Sequence, residues 1–314
     1  MIKLAIVLPC YNEEEVLGET NSRLVALLVK MIEDNQISRD SRILYVNDGS
    51  KDKTWDIISH YNKECPFVCG VKLAGNVGHQ NALLAGLSVA KDLADAIISI
   101  DADLQDDINV IPEMVKYYFE GYDIVYGVRL QRKTDTWFKR NTAIAFYKLM
   151  RSLGVKSVYN HADFRLMSKR AVEQLVQYRE RNLFLRGIVP LIGYRTINVY
   201  YNRSERIAGE SKYPLRKMIN FAIDGITSFS VKPVRMVFGA GVLFFFIAFL
   251  MFIYVLVSWL SGNVVSGWSS LMISMWFIGG AVLMGIGIVG EYVGKIYLEV
   301  KDRPRFNVED VLIK

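Results

Sequence analysis

Ala96-Ile97-Ile98-Ser99-Ile100-Asp101-Ala102-Asp103-Leu104-Gln105-Asp106 joins a short apolar run to carboxylates spaced two residues apart. A buried strand ending this way delivers Asp101 and Asp103 to one side of a sheet, at its C-terminal edge. That edge is where open α/β sheets bind ligands. Two such close carboxylates repel each other unless a cation lies between them, and Mg²⁺ or Mn²⁺ is the usual choice beside phosphates. An Asp-rich turn would read the same on six residues alone, so the surroundings decide.

Those surroundings alternate strand and helix up to about residue 130. Residues 2–8 form a continuous apolar strand, and Leu17, Leu24, Leu28 and Met31 repeat at helical spacing through 13–31. Further strands are expected at 43–46, 68–73, 96–100 and 124–126, with helices at 55–61, 79–91 and 110–119. This order predicts an α/β fold with a mainly parallel sheet and helices on both faces. Two more polar loops open at the same edge as Asp101. Pro9-Cys10-Tyr11-Asn12-Glu13 follows the first strand, and Asn47-Asp48-Gly49-Ser50 the second. A carboxylate there can accept hydrogen bonds from a base or ribose, and Tyr11 can stack.

The chain has 314 residues, a net charge of +6 and 52% hydrophobic residues, too apolar for an ordinary soluble domain. The cause is local, since 236–290 contains no Asp, Glu, Lys, Arg or His. Residues 236–260 and 268–290 each exceed the ~20 residues that cross a bilayer, with 261–267 as the turn between them. Arg216, Lys217, Lys232 and Arg235 precede this region, and Lys295, Lys301, Arg303 and Arg305 follow it. The positive-inside rule puts both termini in the cytoplasm. Residues 137–153 carry Lys139, Arg140, Lys148 and Arg151 among aromatic and aliphatic residues, the pattern of an interfacial amphipathic helix at about 134–153.

The expected organisation is a cytoplasmic catalytic domain at 1–212 and a juxtamembrane helix at 213–235. A two-helix membrane domain at 236–290 and a cytoplasmic tail at 291–314 follow. Cys65 and Cys69 have no further His or Cys partners at zinc-site spacing, and all three cysteines, Cys10 included, read as reduced thiols. The positive charge suits an anionic lipid surface and a phosphorylated substrate better than nucleic acid. Gly285-Ile-Gly287-Ile-Val-Gly290 fits a dinucleotide fingerprint but follows no strand and lies inside the second span, which rejects a dehydrogenase.

Taken in order, Leu8-Pro-x-Tyr-Asn-Glu13, Val46-Asn-Asp-Gly-Ser50, Asp101-Ala-Asp-Leu-Gln105, Gly209-x-Ser-Lys212 and two C-terminal spans resemble the family 2 glycosyltransferases that load sugars onto polyprenyl phosphate. The layout is similar to the bactoprenol glucosyltransferases and dolichyl-phosphate mannosyltransferases over nearly the whole chain. The resemblance implies a GT-A fold and an inverting transfer of a hexose, glucose from a UDP-sugar above all, to undecaprenyl phosphate. It implies a bacterial inner-membrane enzyme with a cytoplasmic active site, a Mg²⁺ or Mn²⁺ cofactor, and a homo-oligomer that could be a tetramer. Transfer of GlcNAc, mannose or another sugar is the alternative.

By the same resemblance, Pro9, Tyr11, Glu13 and Asp48 hold the nucleoside, while Asp101, Asp103 and Gln105 meet metal and diphosphate. Arg129, Lys139 and Arg140 grip the lipid phosphate. Asp163 is the active-site carboxylate, and Arg206, Ser211 and Lys212 lie on a loop closing over the diphosphate. The chain departs from the family at Gly75-Asn76-Val77-Gly78, where members often carry Arg before the Asn. His79 is the candidate to replace it. A processive polysaccharide synthase is disfavoured because the chain lacks Gln-x-x-Arg-Trp, and a channel because neither span carries an ionisable residue.

Overall fold

The computed structural model describes residues 1–130, 161–180, 184–202, 232–261 and 267–313. The interfacial helix at 134–153, the juxtamembrane helix up to 231, most of the turn at 261–267, and Lys139, Arg140, Arg206, Ser211 and Lys212 lie outside them. The described residues fall into two compact units. One holds the segments up to 202 together with 303–313, and the other holds 232–302.

The first unit is built on an eight-stranded sheet in the order β7-β5-β6-β4-β1-β2-β3-β8. Its strands are β1 Leu4–Cys10, β2 Arg42–Asn47, β3 Val68–Leu73, β4 Ala96–Ser99, β5 Ile124–Arg129, β6 His161–Ser168, β7 Thr196–Tyr201 and β8 Val308–Leu312. The central strands β1 to β4 are parallel, and are buried along nearly their whole length because helices cover both faces. On one face, the alternate residues Leu4, Ile6 and Leu8 of β1 join Ile43 and Tyr45 of β2. These pack on Leu17, Leu24 and Leu28 of α1 (Leu17–Glu33), Ile58 of α2 (Thr54–Glu64) and Met114 of α4 (Ile111–Phe119). On the other face lies α3 (His79–Ala90). A side chain at Gly86 would meet Val7 and Val46, so glycine there lets α3 sit close to the sheet. Two further α-helices of this unit are α5 (Lys169–Gln177) and α6 (Leu185–Ile188).

The mainly parallel expectation meets two additions. β6 runs antiparallel between β4 and β5, and β8 runs antiparallel beside β3. Neither has a periodic signature that distinguishes direction, since pairing partner and direction are decided by tertiary packing. Pro9 is tolerated in a central strand because β4 stops pairing at Val7, two residues earlier.

In the second unit, α7 (Lys232–Leu260) and α8 (Trp268–Val300) are long and apolar enough to cross a membrane. Phe244 meets Phe277 edge to face at 5.8 Å. Outward apolar side chains such as Phe238 and Leu283 touch little protein, as lipid-facing groups do. Gly285, Gly287 and Gly290 lie within α8, which removes the dinucleotide motif on structural grounds as well.

Candidate active site

The parallel strands end at one edge, and their loops are stitched together there. Asn12 takes a left-handed backbone (φ 54°), which asparagine tolerates better than most residues. Its N–H donates to Ser50 Oγ at 3.0 Å, and its Oδ1 accepts from Lys51 N at 2.8 Å. Glu13 N donates to Thr54 Oγ1 at 3.0 Å. Tyr11 is left exposed and Pro9 buried within β1.

Asp48 faces the loop before α3. Its Oδ1 accepts from Val77 N at 2.7 Å and its Oδ2 from Gly78 N at 3.0 Å. Burial raises its pKa, and those two N–H groups counter the rise. Each oxygen keeps a further lone pair, so a loop-holding role does not exhaust it as an acceptor.

After β4, Thr20 Oγ1 of α1 donates to Ala102 O at 2.7 Å, and Gln105 N donates to Asp103 Oδ1 at 3.2 Å. Leu104 has φ 44°, strained for a buried leucine and of the kind found where a site fixes its backbone. Gln105 and Asp106 are buried, whereas Asp101 keeps 37% of its side chain exposed. Even so, Asp101 Oδ1 is itself buried and has no hydrogen-bond partner among the described residues. The Asp101 carboxyl is pushed up to about 6, by burial first; His79 opposes the rise, and Asp163, Asp106 and Asp103 add to it.

The antiparallel course of β6 explains Asp163. Ser99 pairs with Arg165, and continuing that register by two residues sets Asp163 beside Asp101. Ser99 Oγ donates to the Asp163 carbonyl at 2.5 Å. Asp163 and Arg165 share a strand face by alternation, and Arg165 Nη2 donates to Asp163 Oδ1 at 2.7 Å. Arg186 of α6 reaches the same carboxylate. Burial alone would raise the pKa of Asp163, but Arg186 and Arg165 hold it well below the usual carboxylate range. His79 Nε2 lies 3.4 Å from Asp101 Oδ1 and 3.9 Å from Asp163 Oδ2. The short helix α6 is tied to α3 by Leu185 N donating to Gln80 Oε1 at 2.8 Å.

Arg129 ends β5 at the same edge, bonded to Asp106 and to Tyr201. Burial works against its charge, but these two partners outweigh burial and raise its pKa.

Of the predicted residues, the fold thus brings Asp48, Asp101, Asp103, Gln105, Arg129 and Asp163 to one edge with the Pro9–Glu13 loop. Sequence reasoning missed Arg186, Tyr201 and the partnership of Asp106. Arg165 alone had a signal, two residues after Asp163 on a strand. Arg186 had none, standing 23 residues from its partner.

The donor set fits a divalent cation. Asp101 and Asp103 bring hard oxygen ligands, and one buried oxygen of Asp101 accepts no hydrogen bond among the described residues. Those two residues would hold the ion. When bound, it would supply positive charge against a phosphate ligand. No three His, Cys, Asp or Glu groups converge in metal-binding geometry among the described residues. Two carboxylates shared with substrate phosphates are the usual arrangement for Mg²⁺.

Residues 5–176 match the model of glycosyl transferase family 2, more than half of the chain. The chain belongs to that family. As a family 2 glycosyltransferase with a GT-A-like mixed sheet, it has close relatives of full length. It is 55% identical to an uncharacterized glycosyltransferase of Bacillus subtilis strain 168, YkoT, over 98% of this chain and 91% of that one. It is 40% identical to the SfII prophage-derived bactoprenol glucosyl transferase of Shigella flexneri, over 98% of each chain. Among solved structures, the Mycobacterium tuberculosis glucosyl-3-phosphoglycerate synthase in complex with Mn²⁺, UDP-glucose and phosphoglyceric acid has a TM-score of 0.47. That match is 17% identical and covers 73% of this chain and 78% of that one.

Proposed function

We propose that this glycosyltransferase transfers a hexose, glucose above all, with inversion from a UDP-sugar to undecaprenyl phosphate. The reaction takes place at the cytoplasmic face of a bacterial inner membrane. The observation that carries the reading is the pairing of opposite chemistries at one sheet edge. Asp101 and Asp103 suit a cation and diphosphate, while the guanidinium of Arg129 suits a second phosphate. The relatives named as bactoprenol glucosyl transferase or its homolog, 40% identical over nearly their full length, support glucose as the sugar and a polyprenyl phosphate as the acceptor.

A phosphate monoester has a second pKa of ~6, so the acceptor arrives as an oxyanion and needs little help from a base. Catalysis then rests on holding that oxygen in line and on neutralising the departing diphosphate. Arg129, Lys139 and Arg140 are assigned the first task, and Lys212, Arg206 and Ser211 the second. Asp101 and Asp103, with Gln105 adjacent, would hold Mg²⁺ or Mn²⁺, which would supply positive charge for the second. Pro9, Tyr11, Glu13 and Asp48 are assigned to the nucleoside. Asp163, pinned between two arginines, is read as an orienting group. The two apolar helices hold the enzyme at the membrane where its acceptor lies, and a homo-oligomer is the expected assembly.

The test is incubation of purified enzyme with undecaprenyl phosphate and a panel of UDP- and GDP-sugars, with lipid products read by mass. A hexosyl lipid phosphate from UDP-glucose is expected. A product from UDP-GlcNAc or GDP-mannose alone would replace the sugar, and no lipid product from any donor would reject the acceptor.

A further inference from the structure

Asp106 is buried, 1% of its side chain exposed, yet it makes an unbalanced set of contacts. Its Oδ1 accepts from Arg129 Nε at 3.1 Å, Arg129 Nη2 at 2.8 Å and the Tyr201 hydroxyl at 2.6 Å. Its Oδ2 is buried with no hydrogen-bond partner among the described residues. Leaving a buried carboxylate oxygen unsatisfied costs stability, and such exceptions in a native fold call for an explanation.

The backbone around the trio is arranged to fix it. Arg129 and Tyr201 are register partners at the ends of parallel strands β5 and β7, and Leu130 N donates to Tyr201 O at 2.9 Å. Tyr201 is wedged edge to face on Phe164, ring centroids 5.5 Å apart. A side chain at Gly127 would strike both rings, so glycine there permits the wedge. Tyr201 also stands 3.3 Å from Arg129 Nε through its hydroxyl oxygen. The guanidinium is therefore gripped along its Nε–Nη2 side by two buried groups, while 19% of the Arg129 side chain remains exposed. An arginine held in this way has lost its rotamer freedom before any ligand arrives, which lowers the cost of ordering it on binding.

We propose that Asp106, assisted by Tyr201, is a positioning residue that aims Arg129 at the phosphate of the acceptor. The proposal rests on the reading of Arg129 as an acceptor contact, and it adds a role for two residues that act through Arg129. Asp106 acts as a clamp, and acceptor phosphate engages Arg129 without displacing it.

The experiment measures KM for undecaprenyl phosphate and for the nucleotide sugar separately in Arg129→Ala, Asp106→Asn, Tyr201→Phe and the Arg129→Ala/Asp106→Asn double variant. Asp106→Asn is expected to raise the lipid KM about tenfold, the scale of one charge-assisted contact, with a much smaller change for the donor. Tyr201→Phe, which keeps the ring packing and so keeps the test alive if Asp106→Asn fails to fold, is expected to raise it severalfold. In the double variant, Asp106→Asn should add nothing to Arg129→Ala. If Arg129→Ala leaves the lipid KM unchanged, the acceptor reading of Arg129 fails. If Arg129→Ala raises it but neither Asp106→Asn nor Tyr201→Phe does, the clamp alone is rejected. A lower lipid KM in Asp106→Asn also overturns the clamp, because Asp106 would then be competing with phosphate.

Discussion

The guanidinium of Arg186 straddles the carboxylate of Asp163, with Nε 3.3 Å from Oδ1 and Nη2 3.1 Å from Oδ2. Arg165 closes the same carboxylate from within the fold, where only 1% of its own side chain is exposed. Arg165 Nε and Nη1 have no hydrogen-bond partner among the described residues, so Asp163 is its principal compensation. Asp163→Ala should therefore strand a buried cation and cost about 3–5 kcal/mol. Arg186→Ala should cost about 1 kcal/mol, because that side chain is 35% exposed and water screens its loss. Chemical denaturation in detergent measures both, and equal costs would contradict the asymmetry.

Metal removal should silence the enzyme. With Asp101 and Asp103 as ligands, EDTA is expected to abolish sugar transfer and Mg²⁺ or Mn²⁺ to restore it. Asp103→Asn should lose Mn²⁺ binding in a paramagnetic titration while remaining folded. Transfer at full rate in chelator would remove the metal role.

Gly49 in the loop after β2 and Gly75 in the loop before α3 offer a contrast. Gly49 has φ 64°, and a Cβ there would lie 2.5 Å from Asn76 N and 2.6 Å from Gly75 C, both backbone atoms that cannot swing aside. Gly49→Ala should combine ~1–2 kcal/mol of left-handed strain with displacement of the loop that Asp48 holds, and raise the KM for nucleotide sugar. A Cβ at Gly75 would meet nothing within 4 Å. Gly75→Ala should stay within about 0.5 kcal/mol of the parent. Matching donor kinetics for the two variants would refute the steric argument.

Stability should depend on pH through Asp123, at the foot of β5. It accepts from Arg170 Nε and Nη2, each at 2.5 Å, and from Ser168 Oγ at 2.8 Å. The Arg170 hydrogen bond lowers its pKa, against the opposing effect of burial. A carboxyl depressed in the fold contributes stability above its unfolded value of ~3.9, and loses it as pH falls through the folded value. Asp123→Asn should therefore be less stable than the parent at pH 7, by about 1 kcal/mol since Arg170 is 65% exposed. The gap should narrow below about pH 4. Thermal midpoints across pH 3–7 test this, and a constant gap would exclude the titration.

Topology is open to a direct test. A cysteine at Asn263→Cys, in a background without Cys10, Cys65 and Cys69, should label from outside intact cells. Labelling that requires permeabilisation would reverse the orientation, and with it the face on which the active site lies.

Local pattern was enough for the parallel core. Residues 43–46, 68–73 and 96–100 read as strands because each is a short apolar run bounded by turn chemistry, and α3 at His79–Ala90 was legible to within a residue at its end. The apolar stretches at 236–260 and 268–290 read as spans because purity of composition needs no tertiary context, although α8 continues to Val300 beyond its apolar part. Asp101, Asp103 and Asp48 could be placed at one edge because all three follow parallel strands. Tertiary structure decided the rest. The direction of β6 brought Asp163 beside Asp101, and long-range contacts supplied Arg186 to Asp163 and Tyr201 to Arg129. The tail returned as β8 alongside β3, with Lys72 pairing to Glu309 at 2.7 Å. Periodicity encodes which face of an element is buried, but not which distant element covers it. That choice is made by packing and by the need of buried charges such as Arg165 and Asp106 for partners, so it became visible only in the folded chain.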